Sequence, residues 1–233
     1  MITYIHRLRP KEFNPENIRF LSPEEVKFEK RIPTQIELKN RKIIKIDYNN
    51  GMDEYDLRSL SIQLPKLKAF FGLGKRDENF FLRSVKNTFE LELAKDDEEF
   101  FKKIEDLDSQ VIDICTLHSE YLFGRTLEKN DIKLLFKPSI EFGIDENGIK
   151  SPRMKLRILH CEFFDSSRER IDTNVSNHSE IIPEEFECRT LIRCSHVKII
   201  KDKIEIVWEL TQALICQNTS IPSQSNKNKN IER

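Results

Sequence analysis

Residues 150–157 hold Lys150, Arg153, Lys155 and Arg157 and no acid, in a segment where Met154, Leu156 and Ile158 alternate with Lys155 and Arg157. A strand with that period buries the apolar set and sends Lys155 and Arg157 to the same open side. Lys133 and Lys137 leave a second alternating segment on its polar side, and Arg189 and Arg193 leave a third. If these faces adjoin, six or more cations line one groove, which is what tracking the phosphates of a single nucleic-acid strand requires. Bases need flat partners as well: Phe70 and Phe71 beside Gly72-Leu73-Gly74, or Tyr121 and Phe123 after a helix. The same spacing is met by cations that simply face water and by a Phe70 that fills the core.

Other chemistries find less support. The one close glycine pair, Gly72 and Gly74, lacks the third glycine and the Lys-Ser/Thr of a phosphate loop. Cys188, Cys194 and His196 share a parity and Cys216 ends the neighbouring strand, but no paired knuckle accompanies them. Buried thiols are expected there, and ordinary semi-buried histidines at His118 and His160. Seven acids between Asp96 and Asp108 are spaced as the wet face of an amphipathic helix, and Asp106 and Asp108 leave it on different sides, unlike a nuclease metal pair. No nucleophile and base can be paired from spacing, so neither an enzyme nor a cofactor is expected.

The elements that must position the cations are mostly strands. Ile132, Leu134, Phe136, Ile140 and Phe142 predict a half-buried strand over 132–142, and 154–158 predicts another. Residues 189–200 and 203–216 predict a long hairpin about Lys201-Asp202, its second strand burying Ile204, Ile206, Trp208, Leu210 and Leu214. Gln212 shares that face and then needs a buried partner. Shorter strands are expected at 43–47, 59–64 and 88–93. Phe100, Ile104, Leu107, Val111, Cys115 and His118 predict one helix capped by Asp96. Four of the nine prolines fall in the first 33 residues, so 1–40 reads as an arm on the domain, with a short helix at 22–31. The polar stretch 217–233 reads as a disordered tail.

At roughly 150 residues per domain, 233 residues make one domain with appendages, placed at 41–216. The net charge of -1 argues against a uniformly basic polymer binder, yet 96–108 is acidic while 150–157 is wholly basic. The longest apolar run is four residues, against about 20 for a membrane helix, and His6, Arg7 and Arg9 interrupt any early signal-like region. Five dispersed cysteines are expected to be reduced, in an intracellular setting. Twenty-eight Ile and 15 Asn against three Ala fit an AT-rich genome.

The order of short motifs carries a resemblance. Ser61-Ile62-Gln63-Leu64-Pro65 and Ala69-Phe70-Phe71-Gly72-Leu73 come first, then the helix segment from Phe100-Phe101 to Leu107-Asp108. Ser151-Pro152-Arg153-Met154-Lys155-Leu156-Arg157 follows, and a last strand with Trp208-Glu209-Leu210-Thr211-Gln212. Over about residues 59–216 this resembles the single-stranded-DNA-binding proteins of large nucleocytoplasmic DNA viruses, which are similar to the replication proteins of short-tailed phages. Two departures stand out: family members tend to carry Pro where this chain has Phe70, and the phage proteins end in an acidic tail, whereas 226–233 holds three basic residues and one acid.

The resemblance implies a mainly β, OB-like antiparallel barrel with an inserted helix, coating single-stranded DNA in replication, recombination or repair. Its expected contacts are Lys133, Lys137, Lys150, Arg153, Lys155, Arg157, Arg189 and Arg193 for phosphates, with Phe71 and Tyr121 for bases. Expected partners are single-stranded DNA, replication or repair proteins and further copies of the chain, with no membrane, in the cytoplasm or nucleus of a host cell. Rival readings are an interaction scaffold of a viral assembly and a divergent metal-dependent nuclease.

Overall fold

The computed structural model describes residues 7–32, 35–49, 57–71, 88–94, 97–144, 150–171, 182 and 185–216; for 28–32, 35–39, 57–58, 71, 88, 143–144 and 150 it describes the backbone alone. The tail at 217–233, the Gly72-Leu73-Gly74 loop and Asp96 therefore lie outside the described residues. In chain order the elements are β1 (Ile18–Phe20), β2 (Glu24–Ile32), β3 (Gln35–Asn49), β4 (Leu57–Arg58), β5 (Leu60–Phe71) and β6 (Thr88–Glu92), then α1 (Glu98–Leu117), α2 (Ser119–Phe123) and α3 (Lys129–Leu135). They continue with β7 (Phe136–Lys137), β8 (Ile140–Ile144), β9 (Lys150–Arg157), β10 (Glu162–Phe164), β11 (Arg170–Ile171), β12 (Glu185–Ile200) and β13 (Lys203–Ile215). Strands make up more than half of the described residues.

Five strands close on themselves. β5 pairs β6, β6 pairs β9, β9 pairs β13, β13 pairs β12 and β12 returns to β5. Closure leaves no open edge within the circuit, and a five-stranded closed sheet is the OB-like barrel that was expected. The sheet is mixed, however, because β7, β9 and β10 all run parallel to β13 along one of its edges. β3 extends the sheet from the far half of β12 and carries β1, β2 and β4.

Alternation fills the barrel: Phe89, Leu91, Met154, Leu156, Leu60, Ile62, Phe186 and Trp208 are at most 2% exposed. Between β12 and β13 two bulges break that alternation, and each moves a residue from where parity alone would put it; a third register shift, between β12 and β5, moves the buried set on β5 from Leu60, Ile62 and Leu64 to Leu67 and Ala69. Register passes from Leu191 opposite Gln212 to Ile192 opposite Leu210, which leaves Thr211 over, its hydroxyl donating to the Leu191 carbonyl at 2.8 Å. Ala213 and Ile215 consequently enter the core, and Leu214 and Gln212 turn to the other face. Gln212 there donates to Glu162 at 3.0 Å and accepts from Arg7 at 3.3 Å, so it needs no core partner. The second bulge, at Ser195, separates Cys194 opposite Trp208 from His196 opposite Val207 and puts the two on opposite faces.

The inserted helix α1 buries Phe100, Ile104, Leu107, Val111 and Cys115 in the apolar core. Asp97 caps it, accepting from the Phe100 amide at 3.3 Å. The strand expected over 132–142 is instead α3 followed by two short strands. The Glu128 amide donates to Asp131 at 3.2 Å, which favours a helical start. Ile132, Leu135 and Phe136 then supply a helical spacing, and Leu134 is left 86% exposed. The helix expected at 22–31 is also absent: these residues form β2, paired along its length with β3. Val26 and Phe28, two apart, suit a strand period, and the long β3 completes the backbone hydrogen bonds. The described part of the arm before β2 lies on the barrel, where Leu8, Phe13 and Ile18 join the core.

Candidate nucleic-acid interface

Directly paired residues of neighbouring strands share a sheet face. On β9, Arg153 stands opposite Glu92 and Lys155 opposite Glu90 of β6, and these two glutamates stand opposite Lys68 and Phe70 of β5. Arg157 stands opposite Glu209 of β13, which faces Arg193 of β12. Lys137 of β7 stands opposite Glu205, which faces Lys198, while Arg189 faces Lys66. Met154, Leu156, Cys194 and Trp208 occupy the inner face. Lys137, Arg153, Lys155, Arg157, Arg189 and Arg193 therefore share the outer face of one barrel.

Three further cations belong to that face and were missed: Lys66, Lys68 and Lys198. The first two flank Leu67 with strand alternation, a signal as legible as that of 153–157. Lys133 does not join them, because it rides on α3. The side chains of Lys150 and Phe71 lie outside the described residues, although the Phe71 backbone ends β5 opposite Phe89. Tyr121 sits on α2, 49% exposed, with Lys42 Nζ 5.1 Å from its ring centre. The next residues, Leu122 and Phe123, line a groove of about 560 Å³ beside the β12–β13 turn, together with Lys42, Arg125, Lys201 and Asp202.

The outer face is not bare positive charge. Lys66 pairs with Glu187 at 2.8 Å, Lys68 with Glu185 at 2.7 Å, Arg157 with Glu205 at 2.7 Å and Lys137 with Glu141 at 2.6 Å. Arg193 bonds Glu209 through Nε at 3.1 Å. Arg153 lies looser, 3.7 Å from Glu90 and 4.0 Å from Glu92, and Lys155 is 3.9 Å from Glu90. Among the described residues Arg189 has no ion pair. Exposed pairs such as Lys66–Glu187 and Lys68–Glu185 are worth about 0–1 kcal/mol each, so a phosphate competes with those carboxylates on nearly equal terms; Glu209 is buried, and its pair with Arg193 is costlier to break.

Where β12 meets β3 the face is more deeply covered. Burial, with the nearby Arg41, Arg157 and Lys198 charges, lowers the His196 imidazole to about 4. Burial opposes the charge on Glu205, yet its bond from Lys198 and the Lys198, Arg157 and Lys137 charges hold its carboxyl below the usual range. A cleft of about 230 Å³ opens nearby, with Lys137, Lys155 and Arg157 around Ser139 and Trp208.

Among the described residues no group of three or more His, Cys, Asp or Glu is placed to hold a metal ion. All five cysteines are free, and burial pushes the Cys115 and Cys188 thiols up to about 12, which keeps them protonated. No described helix is long and apolar enough to cross a membrane.

No family model matches the chain, and no curated protein does. Among solved structures, the chain is similar to the single-stranded DNA-binding protein from bacteriophage Enc34, at 13% identity over 78% of this chain and 89% of that one, with a TM-score of 0.41. A C-terminal truncation of that protein aligns at 14% identity over 75% and 90%, with a TM-score of 0.42. The same protein in complex with ssDNA aligns at 12% identity over 73% and 89%, with a TM-score of 0.37.

Proposed function

We propose that the chain binds single-stranded DNA with little sequence preference, its phosphates lying along the outer face of the barrel. The observation that carries this is that Arg153, Lys155, Arg157, Arg189 and Arg193 all leave the outer side of the closed five-stranded sheet, with Lys137 beside them on β7. In OB-type barrels the face of the second and third strands takes oligonucleotides, and by order in the circuit those strands are β6 and β9 here. Cations on rigid strands track a backbone without reading base edges, which makes the binding tolerant of sequence.

The role belonging to such binding is coating exposed single strands during replication, recombination or repair, without a catalytic step. A chain in that role, if it resembles the proteins of large nucleocytoplasmic DNA viruses in this too, is expected to act in the cytoplasm or nucleus of a host cell, with replication or repair proteins and further copies of itself as partners. The variant Lys155→Gln plus Arg157→Gln tests the face directly. Fluorescence anisotropy with labelled oligo-dT is expected to show at least about tenfold weaker binding at low salt with an unchanged melting temperature, by loss of two charge-assisted contacts. Unchanged affinity would remove this face from the reading.

A further inference from the structure

Phe70 is 7% exposed, yet it stands outside the contiguous apolar core. Its neighbour Ala69 enters that core, so by alternation Phe70 faces outward, directly opposite Glu90 and Glu185. Two cations lie over its ring. Arg153 Cζ lies 4.6 Å from the ring centre and Lys68 Nζ 5.0 Å from it. Arg153 is held there weakly, because its carboxylate contacts are 3.7 and 4.0 Å long and its buried Nε has no hydrogen-bond partner among the described residues.

From this we infer that Phe70 is a base-stacking platform, closed by Arg153 and Lys68 in the free protein and opened when a strand binds. A guanidinium over a ring occupies the position a nucleobase takes when it stacks, and cation-π contacts at a partly wet site are weak enough to exchange. An incoming phosphate offers Arg153 the paired, short hydrogen bonds that Glu90 and Glu92 do not give it. The guanidinium then moves from ring to phosphate, and the base attached to that phosphate takes the vacated ring face. Every base has a π-face, so the site adds affinity without adding sequence preference. This rests on the single-strand reading above and gives it a base contact on the strand face, separate from Tyr121.

The experiment is photocrosslinking of the full chain to oligo-dT carrying 5-iodouracil at each position in turn, with peptide mapping. Alongside it, Phe70→Leu and wild type are titrated with oligo-dT and with an abasic phosphodiester strand of equal length. The expected result is a crosslink at Phe70, and roughly five- to hundredfold weaker binding of oligo-dT by Phe70→Leu. Affinity for the abasic strand should be equal in the two proteins, because the phosphate contacts remain. Wild-type binding of oligo-dT with crosslinks only elsewhere overturns the assignment of Phe70 and leaves the strand-binding reading standing. Absence of wild-type binding removes both. A Phe70→Leu chain that fails to fold loses both strands alike, and the wild-type crosslink then decides.

Discussion

The indole N–H of Trp208 donates to the hydroxyl of Ser139 at 3.0 Å. That hydroxyl donates in turn to Asp108 at 2.6 Å, and the Ser139 amide reaches the second carboxylate oxygen at 2.9 Å. One serine thereby joins the inserted helix to the last strand of the barrel through two side chains that are 8% and 2% exposed. Ser139→Ala leaves a buried donor and weakens the cover of a buried acid. A loss of about 2–3 kcal/mol of stability is expected. Trp208 is the one tryptophan of the chain, so urea unfolding followed by its fluorescence reads the effect at its source.

One buried and one half-buried group give opposing dependences on pH. Burial raises Asp108 to about 6 despite its bonds from Ser139, so the stability contributed by its neutral form is present below its unfolded value of about 3.9 and is lost as pH rises through 6. Burial lowers His196 to about 4, so the stability of its neutral form is present above its unfolded value of 6.5 and is lost as pH falls towards 4. Between these limits the two slopes oppose each other. Asp108→Asn is expected to steepen the loss of thermal stability on acidification from pH 6.5 to 4.5, and His196→Gln to reverse it. Parallel melting curves for the two variants would contradict these assignments.

The glutamates between the cations are expected to restrain binding. Glu90→Gln plus Glu92→Gln leaves Arg153 and Lys155 without their nearest carboxylates. It should tighten oligo-dT binding several-fold near 0.1 M salt, since each removed charge lies within about 4 Å of a phosphate-binding cation. Weaker binding would mean that those acids position the cations for the strand.

Most of this face was readable from parity, and the failures have local causes. Met154, Leu156 and Ile158 behave as their alternation requires, as do Ile204, Ile206, Trp208 and Leu210. The pattern fails at Leu214 and at His196, each beyond a bulge that adds one residue to a strand without any mark in residue type. Ile132, Leu134 and Phe136 alternate as a strand would, but the cap between Glu128 and Asp131 makes the segment helical and carries Lys133 on α3. Its displacement has a consequence for binding: Lys133→Gln should leave oligo-dT affinity within about twofold, while Arg189→Gln, on the outer face, should weaken it more. The interleaving of Glu90, Glu92, Glu205 and Glu209 could not be read at all, since it depends on which strands become neighbours.

Salt dependence tests binding through this face most directly. Oligo-dT affinity of the full chain, measured by fluorescence anisotropy from about 0.05 to 0.3 M NaCl, should fall linearly on a log–log plot. Six cations engaged on phosphates give a slope of about −4 at roughly −0.7 per contact on a single strand. No binding at the lowest salt, or an affinity that does not change with salt, would contradict a phosphate track along β9, β12 and β7.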